Sequence, residues 1–104
     1  MLDLLKKMLG GGPKVDFAQL VKDGAVIIDV RTVGEFNGGH AKGAINIPLD
    51  KLEGSIKKIK NKGPIIVCCA SGMRSGSAKS ILKSHGFTEV YNAGSWYNLR
   101  SHVG

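Results

Sequence analysis

Two short runs of apolar residues, at 24–30 and 62–69, constrain the fold of this chain more than any other feature of its sequence. Within each run the apolar residues are continuous rather than alternating with polar ones, and turn-forming residues bound both runs. A strand that is apolar on both faces is typical of a parallel sheet covered on both sides. We therefore expect both runs to be buried strands.

Amphipathic segments lie between and after these runs, and each predicts a helix. Asp16 stands where an N-cap residue belongs before the first helix, and Gly86 stands where a left-handed C-cap follows the third. Strands that alternate with helices predict a parallel α/β fold, in which ligands bind beyond the carboxyl ends of the strands. The predicted helices are 16–22, 52–59 and 75–85, and weaker strand patterns lie at 45–47 and 89–91.

The composition fits one compact domain: 104 residues, of which 42% are hydrophobic and 22% charged. The formal net charge of +7 should attract anions over long range. A lysine cluster lacks the interleaved aromatic side chains on which bases stack, so we expect a solvated helix face and no nucleic-acid binding. The cluster consists of Lys57, Lys58, Lys60 and Lys62.

The first twelve residues combine scattered leucines with charged residues and end in three glycines. This stretch is too short and too interrupted for a secretion signal or a membrane span. We predict a short amphipathic helix and a glycine linker at 1–12, followed by one domain at 13–104 in the cytoplasm. The helix could pack on the domain, bind a partner or lie on a membrane surface.

The chain contains two cysteines, and they are adjacent: Cys68 and Cys69. Neighbouring residues of a strand point to opposite faces of the sheet, so a disulfide between them is unfavourable and Cys68 is expected to pack in the interior. The histidines, His40, His85 and His102, show no zinc-site spacing. We therefore expect free thiols, no bound metal and no cofactor.

The segment 69–75 joins the second apolar strand to a helix and carries the residues best suited to chemistry. A tight loop at a helix N-terminus gathers backbone N–H groups around one point and favours an anion there. A thiolate from Cys69 would be stabilised by these amides and by Arg74. Gly72 allows a positive φ angle, and Ser71 and Ser75 add hydroxyl donors.

The sequence resembles the rhodanese homology family in two places. Residues 29–48 are similar to the family pattern D-x-R, E-[FY], G-H and G-A-x-N-[IL]-P, and residues 69–75 are similar to C-x-x-G-x-R-S. A weaker match lies at 92–96, where Ala93 replaces one glycine of the family pattern. The resemblance, which covers about 14–99, implies a rhodanese-like α/β fold with a central parallel sheet of about five strands and helices on both faces.

The resemblance also implies roles for individual residues. Cys69 would be the nucleophile that forms a persulfide, and the backbone of the following loop would cradle its outer sulfur. Trp96 and Tyr97 would either line the path of the acceptor or pack against the domain, and His40 is not needed as a general base. The expected sulfur-binding residues are Ala70, Ser71, Gly72, Met73, Arg74 and Ser75, and the expected supporting residues are Asp29, Arg31, Glu35 and His40.

The function implied is a sulfurtransferase that moves a sulfane sulfur from thiosulfate or a persulfide to a thiophilic acceptor, such as cyanide in vitro or a thiol or sulfur-accepting protein in the cell. A positive net charge suits a small anionic donor. A protein-to-protein sulfur relay and an interaction module are alternatives, although interaction modules of this family have lost the cysteine. Related phosphatases space Cys and Arg as C-x5-R, so the C-x4-R spacing of Cys69 and Arg74 disfavours phosphatase activity.

Overall fold

The computed structural model describes residues 15–59 and 63–103 as an α/β fold. Within these ranges the sheet has four parallel strands in the order β2-β1-β3-β4. The expected count of about five strands is therefore wrong. Each apolar run or weaker strand pattern in the sequence became one strand, whereas the fifth strand was expected from family resemblance alone. The strands are β1 (Val26–Asp29), β2 (Ile45–Asn46), β3 (Ile65–Cys69) and β4 (Val90–Ser95).

The helices agree with the prediction in three places and extend it in two. The segment predicted at 52–59 begins earlier, as α3, and continues as a 3₁₀ helix, and the helix predicted at 75–85 begins at Met73. Two short helices, α2 and α5, carried too few turns to show a periodic pattern. The helices are α1 (Phe17–Lys22), α2 (Val33–Asn37), α3 (Leu49–Leu52), the 3₁₀ helix (Glu53–Lys58), α4 (Met73–Ser84) and α5 (Tyr97–Val103).

Two helix ends form as the sequence predicts. The Asp16 carboxylate accepts a hydrogen bond of 3.0 Å from the backbone N–H of Gln19 and so caps α1. After α4, Gly86 adopts a φ angle of 94°, the left-handed conformation that ends a helix. Both caps are set by local sequence, which is why they could be predicted without knowing the packing.

The sheet is covered on both faces, as expected, and β3 is buried along its whole length. Ile65, Val67 and Cys69 pack on one face with residues of α3, the 3₁₀ helix and α4. Ile66 and Cys68 pack on the other face with residues of α1 and α5. The two cysteines therefore enter different halves of the core, and both are free thiols.

Part of the sequence interpretation falls outside the described residues. The helix and linker predicted at 1–12, together with Lys60 and Lys62, lie there, so the division of the chain at residue 12 stays a prediction. Lys57 and Lys58 are exposed on the 3₁₀ helix. Among the described residues, none of the helices has both the length and the apolar character that crossing a membrane requires.

Leu82 tests the packing of α4 on the sheet. It is fully buried in the core face that also holds Cys69. Removing a buried leucine side chain leaves a cavity, so we expect Leu82→Ala to lower the free energy of unfolding by about 2–5 kcal/mol in urea titrations. The exposed neighbour gives a matched control: Lys83→Ala should change it by less than about 0.5 kcal/mol. Equal effects would contradict this packing.

Candidate active site

Cys69 is the last residue of β3 and lies at the carboxyl edge of the sheet, immediately before the loop that leads into α4. Gly72 precedes the first residue of α4 and has a φ angle of 109°, as the sequence predicts for this position. A residue with a Cβ atom would be strained in that conformation. The loop between strand and helix is therefore short and tightly turned, and its amides can point back toward Cys69.

Hydrogen-bond donors converge on the Cys69 sulfur. The backbone N–H of Gly72 donates to Sγ over 2.8 Å, and the buried Ser75 hydroxyl lies 3.3 Å from it. Burial opposes ionisation of this thiol, but the hydroxyl of Ser75 and the backbone amides of Ser75, Gly72 and Ser71 outweigh it and hold the pKa of Cys69 below its usual value. The donors reach Sγ itself, so the site favours a thiolate.

Cys68, one residue earlier, shows the opposite behaviour. It is buried beside Asp29 on the other face of the sheet. Desolvation, together with the nearby Asp29 carboxylate, raises the pKa of Cys68 to about 12. The pKa values of two adjacent cysteines thus shift in opposite directions because the strand turns Cys68 toward Asp29 and Cys69 toward the donors of Gly72 and Ser75.

The Arg74 guanidinium is held by a carboxylate. The hydrogen bonds to Glu35, and after them the negative charges of Glu35 and of Cys69, raise the pKa of Arg74, and the expected stabilisation of the Cys69 thiolate by Arg74 stays a prediction. The guanidinium binds Glu35 with both ends, through Nη1 to Oε1 at 2.7 Å and Nη2 to Oε2 at 2.9 Å. These hydrogen bonds, followed by a backbone one from Thr32, lower the pKa of Glu35 to about 2.

Asp29 and Arg31 form a buried pair at the end of β1. The Arg31 Nη2 lies 2.6 Å from Asp29 Oδ2 and 2.7 Å from the carbonyl oxygen of Gly39. The guanidinium also lies 4.9 Å from the centre of the Trp96 ring, close enough for a cation–π contact. Arg31 therefore ties the end of β1 to the segment after α2 and to the segment after β4.

Of the remaining residues expected at the site, His40 lies at the end of α2 and three others lie on the exposed side of the Cys69 loop. His40 Nδ1 donates to the Phe36 carbonyl oxygen over 2.8 Å, and the two rings stack. His40 therefore fixes the end of α2. The residues whose hydrogen bonds reach the Cys69 sulfur are instead Gly72 and Ser75. The exposed rim residues of the loop are Ala70, Ser71 and Met73, the last with 82% of its surface accessible.

Trp96 and Tyr97, for which the sequence left two roles open, have different positions. The backbone N–H of Trp96 donates to the Cys69 carbonyl oxygen over 2.9 Å, and the Trp96 side chain is half-buried against Gly39 and Arg31. Tyr97 is 59% exposed. Trp96 thus serves the packing of the site, and Tyr97 is available on the surface.

The sequence analysis missed three residues that contact the site: Thr32, Asn46 and Asn92. Thr32 forms a reciprocal capping box with Glu35 on α2, and the spacing T-x-x-E was a signal that could have found this box. Asn46 donates to the carbonyl oxygens of Asp29 and Arg31, each over 3.0 Å. Asn92 contacts Ser75 and Gly72 from β4. The two asparagines act across strands, so local spacing could not reveal them.

Among residues 15–59 and 63–103, no cluster of three or more His, Cys, Asp or Glu side chains is placed to hold a metal ion. The site is therefore built from a thiol, backbone amides and hydroxyls, bordered by two arginine–carboxylate pairs. A profile of the Rhodanese-like domain matches residues 13–101. The chain belongs to the rhodanese-like domain family.

Individual relatives agree with this family. The chain is 44% identical over 68 residues to the uncharacterized protein YqhL of Bacillus subtilis, covering 65% of this chain and 54% of YqhL. It is 42% identical over 69 residues to the thiosulfate sulfurtransferase PspE of Escherichia coli, covering 64% of this chain and 66% of PspE. The rhodanese-like chain thus spans about half to two thirds of the length of these relatives.

A solved structure agrees with the fold. The human single-domain sulfurtransferase TSTD1 superposes with a TM-score of 0.73 at 28% identity, covering 85% of this chain and 95% of the human protein. The similarity therefore extends over most of both chains.

Glu35 offers a test of the ion pair through pH. Its pKa of about 2 in the folded chain lies below the unfolded value of about 4.3, so the pair stabilises the fold above pH 4.3 and loses this effect as the pH falls toward 2. Glu35→Gln keeps a capping-box residue but removes the charge. We expect the urea midpoint of the wild type to exceed that of the variant at pH 7 and to approach it near pH 3.

A matched control for this experiment is Glu89→Gln, which removes an exposed glutamate from the approach to β4. Its midpoint should follow the wild type at both pH values. If the difference between the wild type and Glu35→Gln were the same at pH 7 and near pH 3, the contribution of the Arg74 ion pair to stability would be refuted.

Proposed function

We propose that the protein is a sulfurtransferase in which Cys69 carries a sulfane sulfur as a persulfide. The observation that carries the proposal is the convergence of the Gly72 N–H, at 2.8 Å, and the Ser75 hydroxyl, at 3.3 Å, on the Cys69 sulfur. Sulfur acceptance needs a thiolate, and these donors favour one. PspE, a relative, is named a thiosulfate sulfurtransferase, which supports the same reaction class.

The proposed reaction has two balanced steps. The Cys69 thiolate attacks the outer sulfur of thiosulfate, a sulfur–sulfur bond forms, and the sulfur–sulfur bond of the donor breaks with its electron pair leaving on sulfite. The product is a Cys69 persulfide anion. An acceptor such as cyanide or a thiolate then attacks the outer sulfur, and the electron pair of that bond returns to Cys69. Covalent double displacement of this kind gives ping-pong kinetics.

The loop amides would serve the persulfide as they serve the thiolate. Both species place negative charge on sulfur near the N-terminus of α4, a helix of 12 residues whose dipole favours an anion. In the thiolate the charge sits on Sγ, and in the persulfide it shifts to the outer sulfur. The sulfur-binding role of residues 70–75 is part of this proposal.

Cys69 is fully buried, so the reaction requires that its sulfur become accessible. The exposed residues Ala70, Ser71 and Met73 flank Gly72 in the chain, whereas Ser75 is buried on α4. The Gly72 carbonyl oxygen accepts a hydrogen bond from the backbone N–H of Gly76 over 2.9 Å, which ties Gly72 to α4. We therefore place the movement that would admit a donor at Ala70 and Ser71.

A relay of persulfide sulfur between proteins is the second candidate, and the charge distribution favours it. Arg74 is bound to Glu35 and Arg31 is bound to Asp29, so each of these guanidiniums beside the site already has a carboxylate partner. Pairing of these cations weakens the attraction of a dianionic donor such as thiosulfate more than that of a neutral or singly charged persulfide. The proposal is therefore the same Cys69 persulfide loaded from a different donor.

Cys69→Ser is the decisive variant. We expect the wild type to convert thiosulfate and cyanide to thiocyanate and sulfite, and Cys69→Ser to fall to the uncatalysed rate because its hydroxyl cannot form a persulfide. Cys68→Ala is the matched control, since it removes the neighbouring buried thiol without adding a polar group, and it should retain turnover. A phosphate ester serves as the counter-substrate and should not be hydrolysed.

Mass spectrometry of the intact protein separates the two donors. The wild type and Cys68→Ala, but not Cys69→Ser, should gain the mass of one sulfur after incubation with thiosulfate or with glutathione persulfide. Loading by glutathione persulfide alone would favour the relay. Absence of sulfur on Cys69 with both donors would exclude the sulfurtransferase proposal and favour an interaction module.

A further inference from the structure

Asn92, on β4, contacts the Cys69 loop and α4, although the sequence analysis assigned it no role. Its Nδ2 donates to the Gly72 carbonyl oxygen over 3.3 Å, and its Oδ1 lies 2.6 Å from the Ser75 hydroxyl oxygen. The backbone N–H of Gly94 donates to the same Oδ1 over 2.8 Å. Because an N–H group can only donate, this bond fixes which end of the Asn92 amide is oxygen.

A register shift in the sheet directly follows Asn92. Val67 of β3 pairs with Asn92, but the next residue, Cys68, pairs with Gly94, so Ala93 is an extra residue on β4. Ala93 is buried in the core face that also holds Cys68. Because side chains alternate along a strand, the Asn92 side chain lies on the opposite face, the one that holds Val67 and Cys69.

The Ser75 hydroxyl has one proton and three neighbours that could receive it. They are Asn92 Oδ1 at 2.6 Å, the Gly72 carbonyl oxygen at 3.1 Å and Cys69 Sγ at 3.3 Å. The two oxygens can only accept. The sulfur can donate as a thiol but can only accept as a thiolate. The direction of the Ser75 hydroxyl therefore depends on whether Cys69 is protonated.

We propose that Asn92 is a positioning residue whose Oδ1 accepts the hydrogen bond of the Ser75 hydroxyl while Cys69 is a thiol and loses that hydrogen bond to the sulfur when Cys69 ionises. This inference rests on the proposed role of Cys69. In the thiol state, Cys69 donates to Ser75 and Ser75 donates to Asn92. On ionisation the S–H bond breaks, its electron pair stays on sulfur and its proton goes to solvent. The Ser75 O–H bond stays intact and rotates from Oδ1 to Sγ.

The consequence is that Asn92 and the loop amides shift the pKa of Cys69 in opposite directions. The amide of Gly72 stabilises the thiolate, whereas Asn92 stabilises the thiol, because it offers Ser75 a short hydrogen bond in that state alone. Removing the Asn92 acceptor should therefore increase the thiolate fraction. A residue that merely held the loop in shape would have the reverse effect, because a loosened loop presents its donors less well.

Among the described residues, the charged groups of β1, α2 and α4 beside Cys69 are paired, and Arg100 of α5 lies over the rings of Trp96 and Tyr97. Arg74 of α4 is bound to Glu35 of α2, and Arg31 is bound to Asp29 at the end of β1. Cys68 stays protonated through neutral pH because burial raises its pKa to about 12. The substitutions at position 92 leave these groups in place, so a change in the titration of Cys69 reports on Asn92 and Ser75.

The experiment is a titration of the Cys69 thiolate by its ultraviolet absorbance, with the curve of the matching Cys69→Ser protein subtracted. This readout needs neither access of a reagent to the buried sulfur nor turnover, so it stays independent of the sulfurtransferase proposal. We expect Asn92→Ala to lower the apparent pKa of Cys69 by about half a unit, which is about threefold more thiolate below the midpoint, the size of one ordinary neutral hydrogen bond.

Two further variants complete the test. Asn92→Asp keeps an acceptor for Ser75 and Gly94 and adds a negative charge, so it should raise the apparent pKa of Cys69. In a Ser75→Ala background, Asn92→Ala should no longer lower it, because the hydroxyl that links the two residues is gone. A rise of the pKa in Asn92→Ala, or an equal fall with and without the Ser75 hydroxyl, would overturn the proposal.

Discussion

The alternation of side chains along β3 is the constraint on which the rest of the site depends. β3 is buried on both faces, so Cys68 and Cys69 enter opposite halves of the core. Only the face of Cys69 is covered by α4, whose first turn supplies the Ser75 hydroxyl and amide. A slip of β3 by one residue would exchange the two thiols. The hydrophobic pattern that sets the register of the sheet therefore also determines which cysteine meets the donors of α4.

The charges around Cys69 are arranged so that backbone dipoles, rather than free cations, supply the positive potential at the sulfur. Arg31 and Arg74 each bind a carboxylate. Arg74 joins α4 to α2 through Glu35, and Arg31 joins the end of β1 to the segment after α2 through the Gly39 carbonyl oxygen. These contacts hold β1, α2 and α4 together at the carboxyl edge of the sheet. Backbone amides gathered at the N-terminus of a helix favour an anion at that point.

The sequence was sufficient for those features that depend on local pattern. The two apolar runs predicted β1 and β3, and the composition of the loop identified Cys69 and the positive φ angle of Gly72. What it could not supply depends on contacts between distant segments. The partner of Arg74 lies 39 residues earlier in the chain, so the sequence did not reveal this ion pair. Asn92 reaches the site because β4 pairs with β3, and strand pairing cannot be read from local spacing.

Burial of the sulfur and the hydrogen bonds of its neighbours together indicate which part of the site would have to move. The Gly72 carbonyl oxygen accepts from the backbone N–H of Gly76 over 2.9 Å and from Asn92 Nδ2 over 3.3 Å, so Gly72 is tied to α4 and β4. Ser75 lies on α4 and Asn92 on β4, and both elements pack on the core, so their hydrogen bond can persist during opening. The exposed residues Ala70 and Ser71 precede this group in the chain. Gly72, Ser75 and Asn92 would then control the protonation of Cys69, and movement at Ala70 and Ser71 would control access to it.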